Sequence, residues 1–169
     1  LAALLGPAGH IDAFDIRASA LRELQIRAQR ARLTNIAILP AAPTAQYDGV
    51  LVDAPCSGTG TWRRAPHLKW TTTPAQVTAA AEQQLALLTQ YAAFVRPGGQ
   101  LIYATCSLSR FENENVITDF LAANPAFKPE PPTPARAFGF TPDTATGGLT
   151  ILPAKHNTDG FFVATLRRA

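Results

Sequence analysis

Two apolar runs dominate the pattern of this chain: Tyr47-Asp48-Gly49-Val50-Leu51-Val52-Asp53 and Gln100 to Thr105, each breaking into a loop of small polar residues. A continuous run of that length suits a strand buried on both faces of a parallel sheet. Between them, residues 74–95 predict a long helix, with Pro74 acceptable in its first turn and Pro97-Gly98-Gly99 as its stop. Upstream, residues 10–16 predict a short strand and 17–33 a helix carrying Leu21, Leu24, Ala28 and Ala31 at helical spacing. Asn35 to Leu39 is a further strand candidate. Downstream, Glu112 to Ala123 predicts a helix, and the Pro-rich stretch Asn124 to Pro142 an irregular connection. Residues 148–153 and 160–166 predict a closing antiparallel hairpin, joined by a loop carrying His156, Asn157 and Asp159. Such βα alternation implies an open α/β sheet, mostly parallel, with helices on both faces and an antiparallel hairpin at its carboxyl end.

The 169 residues fit one domain, and a 47% hydrophobic fraction is enough for a sizeable core. No apolar run approaches the ~20 residues of a membrane span. Two cysteines cannot make a disulfide-dense secreted scaffold, and no secretory leader opens the chain, so the expected compartment is the cytoplasm. The chain contains no Met and starts mid-pattern at Leu1-Ala2-Ala3-Leu4-Leu5, which predicts a fragment of a longer protein. Twelve of the 15 basic residues are Arg, whose planar fork suits phosphate recognition; codon bias in an Ala- and Pro-rich chain is the competing explanation.

Ligands of open α/β sheets bind at the carboxyl ends of the strands, a rule that selects Asp15, Asp53, Cys56 and Cys106. A carboxylate such as Asp15 can accept both vicinal hydroxyls of a ribose; it could also cap the helix starting near Arg17. Both cysteines, 50 positions apart, sit in loops with small polar neighbours rather than inside the apolar runs where packing thiols belong. No metal is expected, because none of His10, His67 and His156 lies at ligand spacing from a cysteine. A reaction that needs a thiolate and an acid together is methylation of a pyrimidine at carbon 5. The ring carbon becomes nucleophilic only after sulfur adds at carbon 6; an acid at nitrogen 3 offsets the developing charge, and a base later removes the carbon-5 proton.

The motifs Val52-Asp53-Ala54-Pro55-Cys56-Ser57-Gly58-Thr59-Gly60, then Arg64, Pro66, Lys69 and Trp70, Pro97-Gly98-Gly99, and Tyr103-Ala104-Thr105-Cys106-Ser107 with Glu112-Asn113-Glu114 resemble the Sun and Nop type of RNA cytosine-carbon-5 methyltransferases. Asp159-Gly160-Phe161-Phe162-Val163-Ala164 is similar to that family's terminal strand. The resemblance runs over residues 1–169 and implies a Rossmann-like class I fold dependent on S-adenosylmethionine. It also implies roles: Cys106 as the nucleophile, Cys56 in breakdown of the covalent adduct and release of RNA, Asp53 as the acid beside the base and the methyl donor, and Asp15 as the ribose-binding carboxylate. The expected partner is ribosomal or transfer RNA.

Trp62, Arg63, Arg64, Lys69 and Trp70 form a basic and aromatic segment suited to unpaired RNA, with Arg63, Arg64 and Lys69 as the candidate contacts. The competing possibility is that the tryptophans pack in the core. The helix with Arg17, Arg22, Arg27, Arg30 and Arg32 is expected to be an ordinary solvated face. Two departures from the family stand out. Its Pro-Gly-Gly-Lys loop around the methionine part of the cofactor has no counterpart in these residues, and the resemblance therefore predicts that residues 1–169 are a catalytic domain lacking its first strand and glycine-rich loop. In addition, Ile38-Leu39-Pro40 ends where the family carries an acid near the adenine, so adenine recognition would rest on backbone or apolar contacts. Two alternatives stay open: a Rossmann-type oxidoreductase, whose glycine fingerprint would lie upstream, and a non-catalytic RNA-binding or assembly module.

Overall fold

The computed structural model describes residues 1–132 and 140–169, so part of the Pro-rich connection lies outside the described residues. The chain divides into two compact units, Leu1–Ala45 and Gln46–Ala169.

In the first unit, α1 (Ala2–Leu5) precedes β1 (Ile11–Ala13), α2 (Ala18–Arg30) and β2 (Ile36–Ile38), and β1 pairs in parallel with β2. The Asn35 amide gathers the carbonyls left free at the end of α1 and its following turn, donating to Ala2 O (3.1 Å), Gly6 O (2.9 Å) and Gly9 O (3.1 Å). α2 buries no residue completely, and Arg17, Arg22, Arg27, Arg30 and Arg32 are all exposed, the solvated face expected of them. β1 is shorter than the expected 10–16, ending two residues before Asp15.

The second unit runs β3 (Tyr47–Asp53), α3 (Leu68–Thr71), α4 (Pro74–Ala92), β4 (Val95–Thr105), α5 (Glu114–Ala123), β5 (Phe127–Pro129), β6 (Gly148–Ile151), α6 (Pro153–His156) and β7 (Phe161–Arg168). Its strands are ordered β3-β4-β7-β5, with β6 also on β7. β3 and β4 are parallel; β7 is antiparallel to β4, β5 and β6. One edge of β7 is shared, Phe161–Ala164 pairing with β6 and Leu166–Arg168 with β5.

α4 starts where a capping box closes its orphan amides: Gln76 N donates to Thr73 Oγ1 (3.3 Å) and Thr73 N to Gln76 Oε1 (2.8 Å), with Pro74 at the first helical position. The helix ends at Ala92, earlier than Pro97-Gly98-Gly99 suggested, because Val95 already pairs with Tyr47. The Pro-Gly-Gly segment instead makes an irregularity inside β4: the register passes from Tyr47↔Val95 to Gly49↔Gln100, and Gly98 takes φ 73°, a left-handed value that favours glycine.

The core lies between the sheet and α4 and α5. Leu101, Tyr103 and Thr105 of β4 stand directly opposite Leu166, Ala164 and Phe162 of β7, all buried. Leu88 and Ala92 of α4 and Val116, Ile117 and Phe120 of α5 complete it. Two expectations need correcting. β3 is not buried on both faces: Val52 is buried but Leu51 is 46% exposed, and among the described residues β3 pairs only with β4. The connection after Asn124 is not wholly irregular, because Phe127 buries its ring against Phe120 (centroids 5.3 Å apart) and holds β5 on β7. No described helix is long and apolar enough to cross a membrane.

Candidate active site

β3 and β4 run in parallel, with Asp53 paired to Ala104, so both chains leave the sheet at the same end. Cys56 lies three residues beyond β3 and Cys106 directly after β4. The two thiols are free, half-buried and 3.1 Å apart at sulfur, in hydrogen-bond contact. Either sulfur can donate in this contact. With Cys56 as donor, the bond brings the Cys106 thiol down to about 7, against burial and the charges of Asp53 and Glu112. Cys56 is pushed up, first by that same bond, then by burial and by the charge on Cys106. Cys106 therefore ionises first, with Cys56 as its proton donor. Asp53 is exposed at the strand end, close enough for its charge to act on Cys106.

The loops carrying the thiols are tied by polar side chains, with Gln84, Thr105, Ser107, Glu112 and Asn113 buried and Ser57 and Thr59 partly so. Thr105 Oγ1 donates to Asn113 Oδ1 (2.7 Å), Asn113 Nδ2 to Ser107 O (2.9 Å), and Leu108 N to Thr59 Oγ1 (2.8 Å). Glu112, fully buried, accepts from Ser57 N (2.7 Å), the Ser57 hydroxyl, Ser107 Oγ (2.6 Å) and Gln84 Nε2 (3.0 Å). Gln84 Nε2 also donates to Pro55 O (2.9 Å), and Tyr103 Oη donates to Glu112 O (2.6 Å). Gln84 went unassigned in the sequence, although a polar residue on the buried stripe Gln84, Leu88, Ala92 is the signal that marks it. Glu112 was visible only as part of a motif.

Gly60 closes the site from the side of the terminal strand. Its N–H donates to Cys106 O (2.9 Å), and its carbonyl accepts Gly160 N (2.8 Å). A Cβ on Gly60 would stand 2.7 Å from Cys106 O and closer still to Gly160 O. Gly60→Ala is therefore expected to destabilise the fold by about 1–3 kcal/mol through overpacking against backbone that cannot swing away. Thermal unfolding checks this, and an unchanged melting temperature would contradict the close approach.

The remaining candidates are placed as follows. Asp15 belongs to the first unit, and its two oxygens accept Arg17 N (2.7 Å), Arg17 Nε (3.0 Å) and Arg17 Nη2 (2.8 Å), which hold its carboxyl below the usual range. It does not cap α2, whose N-cap is Arg17. Arg64 is ion-paired with Asp159, and Arg63 Nη1 donates to Asn157 O (3.0 Å), so both guanidiniums brace the loop before β7. Lys69 Nζ sits 5.7 Å from the centre of the Trp70 ring. At 84% exposed, Trp70 is not a core residue, whereas the Trp62 indole N–H is buried with no hydrogen-bond partner among the described residues. Among the described residues, no three His, Cys, Asp or Glu side chains converge as a metal site would require.

The sequence profile described as "16S rRNA methyltransferase RsmB/F" matches residues 1–167. A probable ribosomal RNA small subunit methyltransferase B of Synechocystis is 39% identical over 100% of this chain and 40% of its own length. The ribosomal RNA small subunit methyltransferase F of Serratia proteamaculans is 33% identical over 99% of the chain and 37% of its own. Among solved structures, NSun6 from Pyrococcus horikoshii with SFG superposes with a TM-score of 0.84 at 29% identity, over 99% of this chain and 43% of that one. A second neighbour, PH0851, gives 0.84 at 33% identity over 95% of this chain and 37% of its own. The chain thus spans about two fifths of the length of these two curated relatives. With the fold, the paired cysteine loops and the profile in agreement, the chain belongs to the 16S rRNA methyltransferase RsmB/F family.

Proposed function

We propose that the protein carrying this chain methylates carbon 5 of a cytosine in small-subunit ribosomal RNA, through a covalent adduct between Cys106 and carbon 6 of the base. The observation that carries this reading is the thiol pair: two cysteines at the ends of adjacent parallel strands, 3.1 Å apart, with Cys106 the one that ionises near neutral pH. Neither a hydride-transfer enzyme nor a binding module has use for such a pair. The names of the relatives support the ribosomal substrate.

Cys106 supplies the thiolate and forms the sulfur to carbon bond. Asp53, exposed beside it, is the proposed acid that hydrogen-bonds the base. Cys56 carries the proton traffic that lets sulfur leave. S-adenosylmethionine, an analogue of which is present in the NSun6 structure, supplies the methyl group when bound. Asp15 fits its proposed ribose-binding role as an acceptor: its carboxyl is held below the usual range, and Oδ2 accepts one hydrogen bond from Arg17, leaving acceptor capacity for ribose hydroxyls. Asp53 is the other residue proposed to hold the cofactor. RNA contacts are assigned to Lys69 with the exposed Trp70, and to the guanidinium donors of Arg63 and Arg64 left free by their intramolecular bonds. A cytoplasmic site of action accords with a ribosomal substrate.

Bisulfite sequencing of total RNA with and without the gene tests the proposal. The expected result is loss of one or a few methylated cytosines in small-subunit ribosomal RNA, restored by the wild-type gene. An unchanged pattern overturns it.

A further inference from the structure

Glu112 is buried completely, and no cation pairs with it among the described residues. An isolated buried carboxylate is costly unless hydrogen bonds replace its water. Here four donors do so. The backbone N–H and hydroxyl of Ser57 come from the residue after Cys56, the Ser107 hydroxyl from the residue after Cys106, and the Gln84 amide from α4. The two oxygens thus gather groups from three separate elements, the loop after β3, the loop after β4 and α4. The two serine loops are separated by 50 positions in the chain.

We propose that Glu112 is a positioning residue for the thiol pair, a single carboxylate that clamps the loop after β3 to the loop after β4 and so holds Cys56 and Cys106 in contact. The inference rests on the reading of these cysteines as the thiols that act on the base. Its consequence is geometric: without the carboxylate, Ser57 and Ser107 lose their common acceptor, and the sulfurs lose one of the constraints that keep them 3.1 Å apart, leaving Gly60 N on Cys106 O and Leu108 N on Thr59 Oγ1 to tie the loops.

The test reads the thiol pair directly and needs no RNA. Diamide, a diazene oxidant, accepts two electrons and two protons as Cys56 and Cys106 join in a disulfide, and the rate reports how often the sulfurs meet. In the complete protein, Glu112→Gln is expected to slow this cross-linking by about tenfold or more, as misplacement of a positioned pair does. A second readout is the pH midpoint for alkylation of Cys106 by iodoacetamide. The groups acting on that thiol are Cys56, which lowers its midpoint, and Asp53 and Glu112, whose charges raise it. Removing the Glu112 charge with the loops still clamped would lower the midpoint, whereas releasing Cys56 raises it from about 7 toward the ordinary thiol value. A rise supports the clamp. A fall or no change, with cross-linking at the wild-type rate, overturns it. Should Glu112→Gln fail to fold, Ser57→Ala and Ser107→Ala each remove one hydroxyl donor, and wild-type cross-linking in both overturns the clamp. Neither result touches adduct formation through Cys106, whose failure would instead count against the proposed function.

Discussion

Cys106→Ala is expected to abolish methyl transfer, with a loss on the order of 10³-fold or more, as for removal of other covalent nucleophiles. In the same variant, RNA containing 5-fluorocytosine should form no covalent complex. On the proposed mechanism, the wild-type thiolate adds to carbon 6, methyl transfer follows at carbon 5, and the adduct should then stall because fluorine at that carbon cannot leave as a proton. The bond from sulfur to carbon 6 persists and is seen as a slower band under denaturing conditions. An adduct that survives Cys106→Ala would refute the assignment. The pH dependence follows from the same thiol. With Cys106 held at about 7, the thiolate is the larger fraction above that pH and falls about tenfold per unit below it, so the rate of adduct formation should fall with it. An adduct rate flat between pH 5 and 8 would mean that ionisation of Cys106 does not limit attack.

Much of this site could be read in the sequence because its parts are local. Tyr47–Asp53 is a strand with the bounds its composition predicts, and Cys56 and Cys106 lie beyond strand ends where ligand chemistry belongs. Spacing alone left open which thiol is which, and the resemblance assigned roles without a physical reason. What the chain order hides is the contact between the sulfurs, an interaction between residues 50 positions apart. Gln84 and Glu112 were illegible for the same cause. Each is one polar residue among polar neighbours in the chain, Gln84 after Glu82-Gln83 and Glu112 within Ser109-Arg110-Phe111-Glu112-Asn113-Glu114, and what sets it apart is partners as distant as 29 and 55 positions. β5 was hidden because three residues ending in a proline carry little strand signal; Phe127 is held by tertiary burial. The basic segment was legible in composition but not in pairing, since Arg64 finds Asp159 only after the chain has returned through β7's approach loop.

Cys56→Ala is expected to produce the opposite phenotype from Cys106→Ala: slow turnover with a covalent protein–RNA complex accumulating on ordinary RNA. In the free protein Cys56 stays protonated because it donates to Cys106, is desolvated, and faces the Cys106 charge. When Cys106 has added to the base, its sulfur is a neutral thioether. The hydrogen bond and the charge that raised Cys56 are then both gone, leaving burial as the main opposing influence, and Cys56 becomes easier to ionise at the moment a base is needed for the carbon-5 proton. As that proton leaves carbon 5, its bonding pair restores the ring double bond and expels the Cys106 thiolate, which Cys56, now protonated, again stabilises. Removing Cys56 takes away both services, and a loss of about 10²–10⁴-fold in turnover is the scale for a positioned acid and base. The complex should require the methyl donor and vanish in the double variant Cys56→Ala, Cys106→Ala. Turnover by Cys56→Ala at the wild-type rate would show that proton removal is handled elsewhere. A covalent band retained in the double variant would place the adduct on another residue.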